Sequence, residues 1–193
     1  MDGTMAPTDW NAWLDEYNRR YETAFTPDRY ASLKAFRDLA IDVRERDRKL
    51  IFAGNGASAS ISAHGRVDFM KQAKVKSIDF NEPNLITAFS NDYGYENWVA
   101  RAIERHYQDG DACVFISVSG RSANLVKAAE YCKEIGLPVV GFSGSAEDNP
   151  LRKLSDIDFW IGSKAYNVVE CTHMIWLTTV IDMVVGRAEY SVN

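Results

Sequence analysis

Cysteine and proline are scarce in this chain, and positive charge is in deficit. Its 193 residues include three cysteines, five prolines and 22 Lys+Arg against 27 Asp+Glu, a formal net charge of -5. Cys113, Cys132 and Cys171 are odd in number and widely spaced, with no CxxC. That excludes a disulfide framework or a zinc knuckle and reads as the reduced thiols of a cytoplasmic protein. The acidic balance excludes the broad basic face that nucleic acid or an acidic membrane requires, so neither is an expected partner. A small anionic ligand in a locally positive pocket remains compatible with it. The opening "MDGTMAPTDWNAWLDEY" has no basic stretch and no apolar run behind one, so no leader peptide is expected. The longest apolar run, 174–185, is interrupted by Thr178, Thr179 and Asp182 and is too short to span a bilayer.

What is present is the composition of a folded domain: 46% hydrophobic and 25% charged residues, in a chain long enough for one sizeable core. Residues 1–48 read as N-terminal helices and 49–193 as an α/β unit, together one structural domain. The first helix is expected over 9–23, with Trp10, Trp13 and Tyr17 at helical spacing. The second is expected over 27–46, opened by "TPD" and carrying Tyr30, Leu33, Phe36, Leu39 and Val43 on one stripe. Their aromatics read as core or as packing between subunits.

Strand and helix signals then alternate. Strands are expected over 49–54, 74–80, 111–119, 137–144 and 156–162. Helices are expected over 58–71, 95–108, 122–135, 149–154 and 167–185. Short apolar strands bounded by Gly, Pro and Asp, each followed by a helix, predict right-handed βαβ units. The predicted fold is therefore α/β: a single doubly wound, five-stranded parallel sheet of the flavodoxin-like order 2-1-3-4-5, flanked by helices. In that order strands 1 and 3 are neighbours at the switch point, where ligands bind outside the carboxyl ends. The loops leaving them, "GNGAS" (54–58) and "SVSGRS" (117–122), would face one crevice.

The second loop carries Ser117, Ser119 and Ser122 around Gly120, just before a helix. Unpaired N–H groups at a helix start suit an anion, and hydroxyls can donate to phosphate oxygens. A lone serine there would read as a cap; three read as a phosphate grip. Neither loop is a GxxxxGK[ST] or a GxGxxG, so a phosphomonoester is expected and no nucleotide cofactor. Asp79, the nearest acidic residue to the end of strand 2, is the one candidate partner for a ribose. On the following helices His64 and Asp68 stand at i, i+4, and Glu170 and His173 at i, i+3. Such pairs can hold a divalent metal or move protons, or can be ordinary helix-surface pairs. Asp92, in "SNDYGYENW", is expected in a turn before a helix, where it would cap.

Taken together, "FAGNGASASISAHGRVDF", "SNDYGYENW", "ISVSGRSANLVKAAEYCKEIGLPVVGFSG" and "VECTHMIWLTTVIDMVV" resemble the sugar isomerase (SIS) domain family, and within it the phosphoheptose isomerase branch. The resemblance covers nearly the whole chain. It implies a homotetramer that interconverts sedoheptulose 7-phosphate and an aldoheptose 7-phosphate for lipopolysaccharide or capsule heptose. It implies a phosphate site at Ser117, Ser119 and Ser122, sugar contacts from Asn55, Gly56 and Ser58, and Asp92 beside them. It further implies one metal ion, zinc, on His64, Asp68 and Glu170, with Asp68 at the position of the catalytic carboxylate; the residues themselves would let Asp68 and Glu170 divide the acid and base roles. Four departures stand out: the branch's last-helix histidine falls at Thr178, its metal-binding glutamate is Asp68, its glutamine ligand is Glu170, and its loop asparagine is Arg121. A threonine is no general base near neutral pH. Two functions are therefore expected in competition: an aldose–ketose phosphosugar isomerase, or a SIS module that binds a phosphosugar or a protein, as replication-initiator-associating relatives do, without catalysis. A phosphosugar lyase or an amidotransferase-type isomerase would need a partner domain or a catalytic pattern absent from the sequence.

Overall fold

The computed structural model describes residues 8–191; residues 1–7, the start of the segment read as lacking a leader, lie outside them. Five strands form one parallel sheet: β1 (Lys49–Gly54), β2 (Lys76–Asp79), β3 (Ala112–Ser117), β4 (Val139–Gly144) and β5 (Ile157–Ile161). Their order is β2-β1-β3-β4-β5, as expected from the sequence. Of the three inner strands, β3 and β4 are buried at every residue and β1 at all but Lys49, which is why their sequences read as near-continuous apolar runs. The edge strands β2 and β5 are less buried: one residue of β2 and two of β5 are fully buried.

Alternate strand residues point to opposite faces, so the sheet has two cores. On one face Phe52, Val114, Ile116 and Phe142 meet helices α2 (Pro27–Glu45), α3 (Ala57–Lys71) and α8 (Tyr166–Val185). On the other face Ile51, Cys113, Phe115 and Val139 meet α5 (Trp98–His106) and α6 (Ala123–Glu134). The first core is aromatic. Phe142 and Phe159 stack with centroids 4.4 Å apart, Phe36 meets both edge-on at 6.2 Å, and Trp176 lies 5.7 Å from Phe159. The Trp176 indole N–H donates to the Ala24 carbonyl at 2.6 Å, which ties the turn before α2 to the core.

Of the two N-terminal helices, α2 buries Leu33, Phe36, Ala40 and Val43, whereas α1 (Trp10–Arg19) buries nothing and turns Trp10, Trp13 and Leu14 to the exterior. Helix α1 ends at Arg19, short of the expected Thr23, and a single 3-10 turn, Glu22–Ala24, follows. One helix was not foreseen: α4 (Pro83–Tyr93). Pro83 opens it, Glu82 caps it by accepting from the Asn84 and Leu85 amides, and Gly94 ends it at φ 84°. It buries no residue fully; Leu85, Ile86 and Phe89 pack half-buried against the second core. Asp92 is consequently not a cap in a turn. It sits in the last turn of α4 and accepts from the Asn91 side chain at 2.9 Å, and Asn97 takes the cap position of α5.

Helix α8 corrects a second expectation. Its 20 residues contain an 18-residue window with a mean hydropathy of 1.5, enough by length and composition to cross a membrane. The reason lies in the fold: α8 is the central helix of the aromatic core, and Val168, Val169, His173, Trp176, Leu177, Val180 and Ile181 are all buried. Replacing Trp176 with Ala removes the largest fully buried side chain and one hydrogen bond. The expected cost is about 3–5 kcal/mol, read as a lower urea midpoint with an unchanged slope.

Candidate phosphate-binding site

Parallel pairing sets Gly54, the last residue of β1, beside Ile116 near the end of β3. The loops leaving these strands therefore open on the same edge of the sheet. Between them, and under the first turn of α8, lies a crevice of about 290 Å³. Asn55, Gly56, Ser58, Ser117, Ser119 and Ser122 line it, with Glu170 and Tyr166 from α8. Gly54 is required where it stands, because a side chain would meet the Ser58 backbone carbonyl at 2.5 Å. Gly120 has φ 62°, and a Cβ there would collide with the Asn149 side chain. That asparagine is fully buried and bonded to Ser143, Ala146 and the Arg152 amide. The serine loop is thus pressed against an anchored neighbour, which limits its freedom to rearrange.

Ser122 occupies the N-cap position of α6 but makes no capping hydrogen bond. Its hydroxyl lies instead 3.0 Å from that of Ser117. Ser119 accepts from the Arg121 amide at 3.2 Å. Helices α3 and α8 also begin without a side-chain cap, at Gly56 and Ala165. Three helix starts with uncapped N–H groups therefore converge with three hydroxyls on one crevice. The simple reading of Ser122 as a helix cap is not what the structure shows, and the arrangement suits an anion with several oxygens.

The profile of the SIS domain family matches residues 12–144. The chain belongs to the SIS domain family. A phosphoheptose isomerase of Aneurinibacillus thermoaerophilus is 33% identical over 147 residues, covering 70% of this chain and 71% of that protein. A phosphoheptose isomerase of Crocosphaera subtropica is 29% identical over 171 residues, covering 86% of this chain and 87% of that protein. In three dimensions the fold resembles phosphoheptose isomerase GmhA from Neisseria gonorrhoeae, with a TM-score of 0.79 and 21% identity over 90% of this chain and 96% of that one.

Within this SIS domain the structure separates the residues expected from sequence into two groups. The seven at positions 55, 56, 58, 117, 119, 122 and 170 share the crevice. His64, Asp68 and Asp92 do not line it. His64 Nε2 and Asp68 Oδ2 lie 3.3 Å apart on the outer face of α3. Asp92 borders a separate recess with Asn84, Thr87 and Asn91. Among the described residues no three His, Cys, Asp or Glu side chains come together to hold a metal. The set His64, Asp68 and Glu170 thus does not fit a metal ion within one chain. Thr178 donates to the Met174 and Ile175 carbonyls, at 2.9 and 3.1 Å, so its hydroxyl is engaged with its own helix. Arg121 does not line the crevice, and its guanidinium lies 3.5 Å from Asp148. Asp79, the ribose candidate, pairs with Arg66 at 3.2 Å.

Glu170 and His173 were expected on one face of α8, but only Glu170 reaches the crevice. His173 is fully buried, lies edge-on to Phe142 at 5.8 Å, and bonds through Nε2 to the Ser143 carbonyl at 3.1 Å. Tyr166, which lines the crevice one turn before Glu170, carried no signal in the sequence.

Burial pushes the His173 imidazole down to about 4, against the smaller opposing effect of the Ser143 carbonyl. Below about pH 6.5 the unfolded chain binds a proton that the folded protein refuses. Stability from this residue is therefore present above pH 6.5 and is lost as pH falls toward 4. The expected loss is on the order of 3 kcal/mol over that window. A His173→Gln variant keeps a donor for Ser143 and should show a shallower decline between pH 6.5 and 4, measured by urea unfolding at stepped pH.

Proposed function

We propose that the protein is an aldose–ketose phosphosugar isomerase whose substrate is sedoheptulose 7-phosphate, acting in heptose synthesis for lipopolysaccharide or capsule. The observation that carries this reading is one crevice holding both a three-serine, uncapped-helix anion grip and a single carboxylate, Glu170. The names of the relatives, phosphoheptose isomerases at about 30% identity over most of the chain, support the same substrate class.

In this mechanism the hydroxyls of Ser117, Ser119 and Ser122 and the first amides of α6 bind the phosphate. The sugar then runs from the serine loop toward Asn55 and α8. Holding the phosphate fixes the reacting carbons relative to Glu170 and makes proton transfer effectively intramolecular. The Glu170 carboxylate takes a proton from C1 of the ketose while the C2 carbonyl oxygen gains one, which forms a 1,2-enediol. Returning a proton to C2 and withdrawing the one on O1 yields the aldehyde. No atom is gained or lost and no redox partner is needed. Proton shuttling of this kind contributes roughly 10²–10⁴-fold in rate. No step passes through a metal, since His64, Asp68 and Glu170 do not converge within one chain.

A homotetramer in the cytoplasm belongs to the same proposal. Its support is the outward face of α1, where Trp10, Trp13 and Leu14 are exposed, together with Val67 and Met70 on α3. A neighbouring chain covering that face would also be the route by which His64, Asp68 or Asp92 reaches a crevice. One observation favours a binder that does not turn its ligand over: Thr178, where the family histidine is expected, cannot act as a base.

The deciding experiment incubates the protein with sedoheptulose 7-phosphate in D₂O and follows the sugar by proton and phosphorus NMR. The expected result is an aldose product with deuterium at C2. Phosphorus shifts without conversion would establish the binder instead. Glu170→Gln should lower kcat by at least about 10²-fold while the affinity for inorganic phosphate stays unchanged. Undiminished turnover in that variant would remove Glu170 from the chemistry.

A further inference from the structure

Asn55 stands at the mouth of the crevice, directly after β1. An asparagine side chain has two acceptor positions on its oxygen and two donors on its nitrogen. Three of these four are already engaged. Asn55 Nδ2 donates to Asn124 Oδ1 at 3.0 Å, and Asn124 Nδ2 donates back to Asn55 Oδ1 at 3.0 Å. The Tyr95 hydroxyl donates to the same Asn55 Oδ1 at 2.9 Å. The oxygen of Asn55 is therefore filled, and one N–H remains.

The two partners come from opposite sides. Asn124 is in the first turn of α6, two residues beyond Ser122, and is only 1% exposed. Tyr95 lies between α4 and α5 and is 54% exposed. The buried amide holds Asn55 from beneath, and the tyrosine holds it from the solvent side. Breaking the amide pair would strand polar groups of Asn124 away from water, which is costly.

We propose that Asn124 and Tyr95 are positioning residues that fix the Asn55 amide, so that its remaining N–H faces the crevice as a donor to an oxygen of the bound sugar. The device rests on the crevice being a sugar-phosphate site, and it deepens that reading by dividing the labour. The serine loop recognises the phosphate, and the Asn55 donor recognises the carbon skeleton attached to it. Because Asn124 and Ser122 share one helical turn, the two halves of the ligand are held at a set separation. A free phosphate ion gains from the first half alone. A sugar phosphate gains from both.

Tyr95→Phe tests this cleanly, since it removes one exposed hydroxyl and leaves the buried amide pair in place. Affinities for inorganic phosphate and for sedoheptulose 7-phosphate are measured by calorimetry in four proteins: wild type, Tyr95→Phe, Asn55→Ala and the double variant. One hydrogen bond of about 0.5–1.5 kcal/mol corresponds to roughly 2- to 10-fold in Kd. Tyr95→Phe is expected to weaken the sugar phosphate by that factor and to leave inorganic phosphate unchanged. In the Asn55→Ala background the same substitution should have no further effect. Equal weakening of both ligands, an effect that persists without Asn55, or no effect at all would each overturn the proposal. So would a wild-type protein that binds the sugar phosphate no better than phosphate. Turnover by the wild type is scored separately: binding that follows the expected pattern without conversion would sustain the positioning role and reject the isomerase.

Discussion

The pairing of β1 with β3 is the constraint on which the rest depends. Their residues are far apart in sequence, yet Gly54 and Ile116 are neighbours in the ladder. At the opposite end of the same pair, the carboxylate of Asp111 is completely buried and accepts from the Lys49 amide at 3.0 Å, from Lys49 Nζ at 2.6 Å and from the Gln108 amide at 2.8 Å. A buried charge with that many partners is satisfied in one register only, and a slip would leave it bare. The clamp at the amino ends thus sets the alignment at the carboxyl ends. There it brings Asn55 within reach of Asn124 and the serine loop opposite α3.

Beneath the crevice the aromatic core supplies rigidity. Phe142 precedes Ser143, the residue that bonds both Asn149 and His173. Asn149 in turn abuts Gly120 of the serine loop. The path from stacked rings to the hydroxyls of the serine loop is therefore a few contacts long, through side chains that are all buried. Preorganisation of this sort matters for a small, charged ligand, because donors already in place need not reorganise when it arrives.

Much of this was legible in the sequence, for identifiable reasons. Buried parallel strands are near-continuous apolar runs, so all five strands and their order could be read. The serine loop is a single stretch, so its three hydroxyls announced themselves together. Helix α4 went unread because its apolar stripe, Leu85, Ile86 and Phe89, is short and only half-buried, and because it is capped by a glutamate rather than by Ser, Thr, Asp or Asn. Glu170 and His173 looked like a pair because they are three apart, yet three residues turn a helix by about 300°. On α8 that difference straddles the boundary between the crevice and the core. The Asn55–Tyr95 contact joins residues 40 apart, and an exposed tyrosine in a loop has no pattern that announces it. The spacing of His64 and Asp68 allowed the surface pair that the structure shows, but helical spacing does not say whether such a pair faces the crevice.

Helix α8 carries two unrelated inscriptions on one rod. Its inward stripe is Trp176, His173, Leu177 and their neighbours, where a change of one methylene is felt throughout the core. Its other stripe holds Glu170 and Thr178, which are only partly buried. Substitutions along that second stripe alter chemistry at little cost to folding. A scaffold divided in this way is evolvable: the same folded frame can lose a histidine, exchange a glutamine for a glutamate, or acquire a different reaction, one residue at a time, without passing through an unstable intermediate.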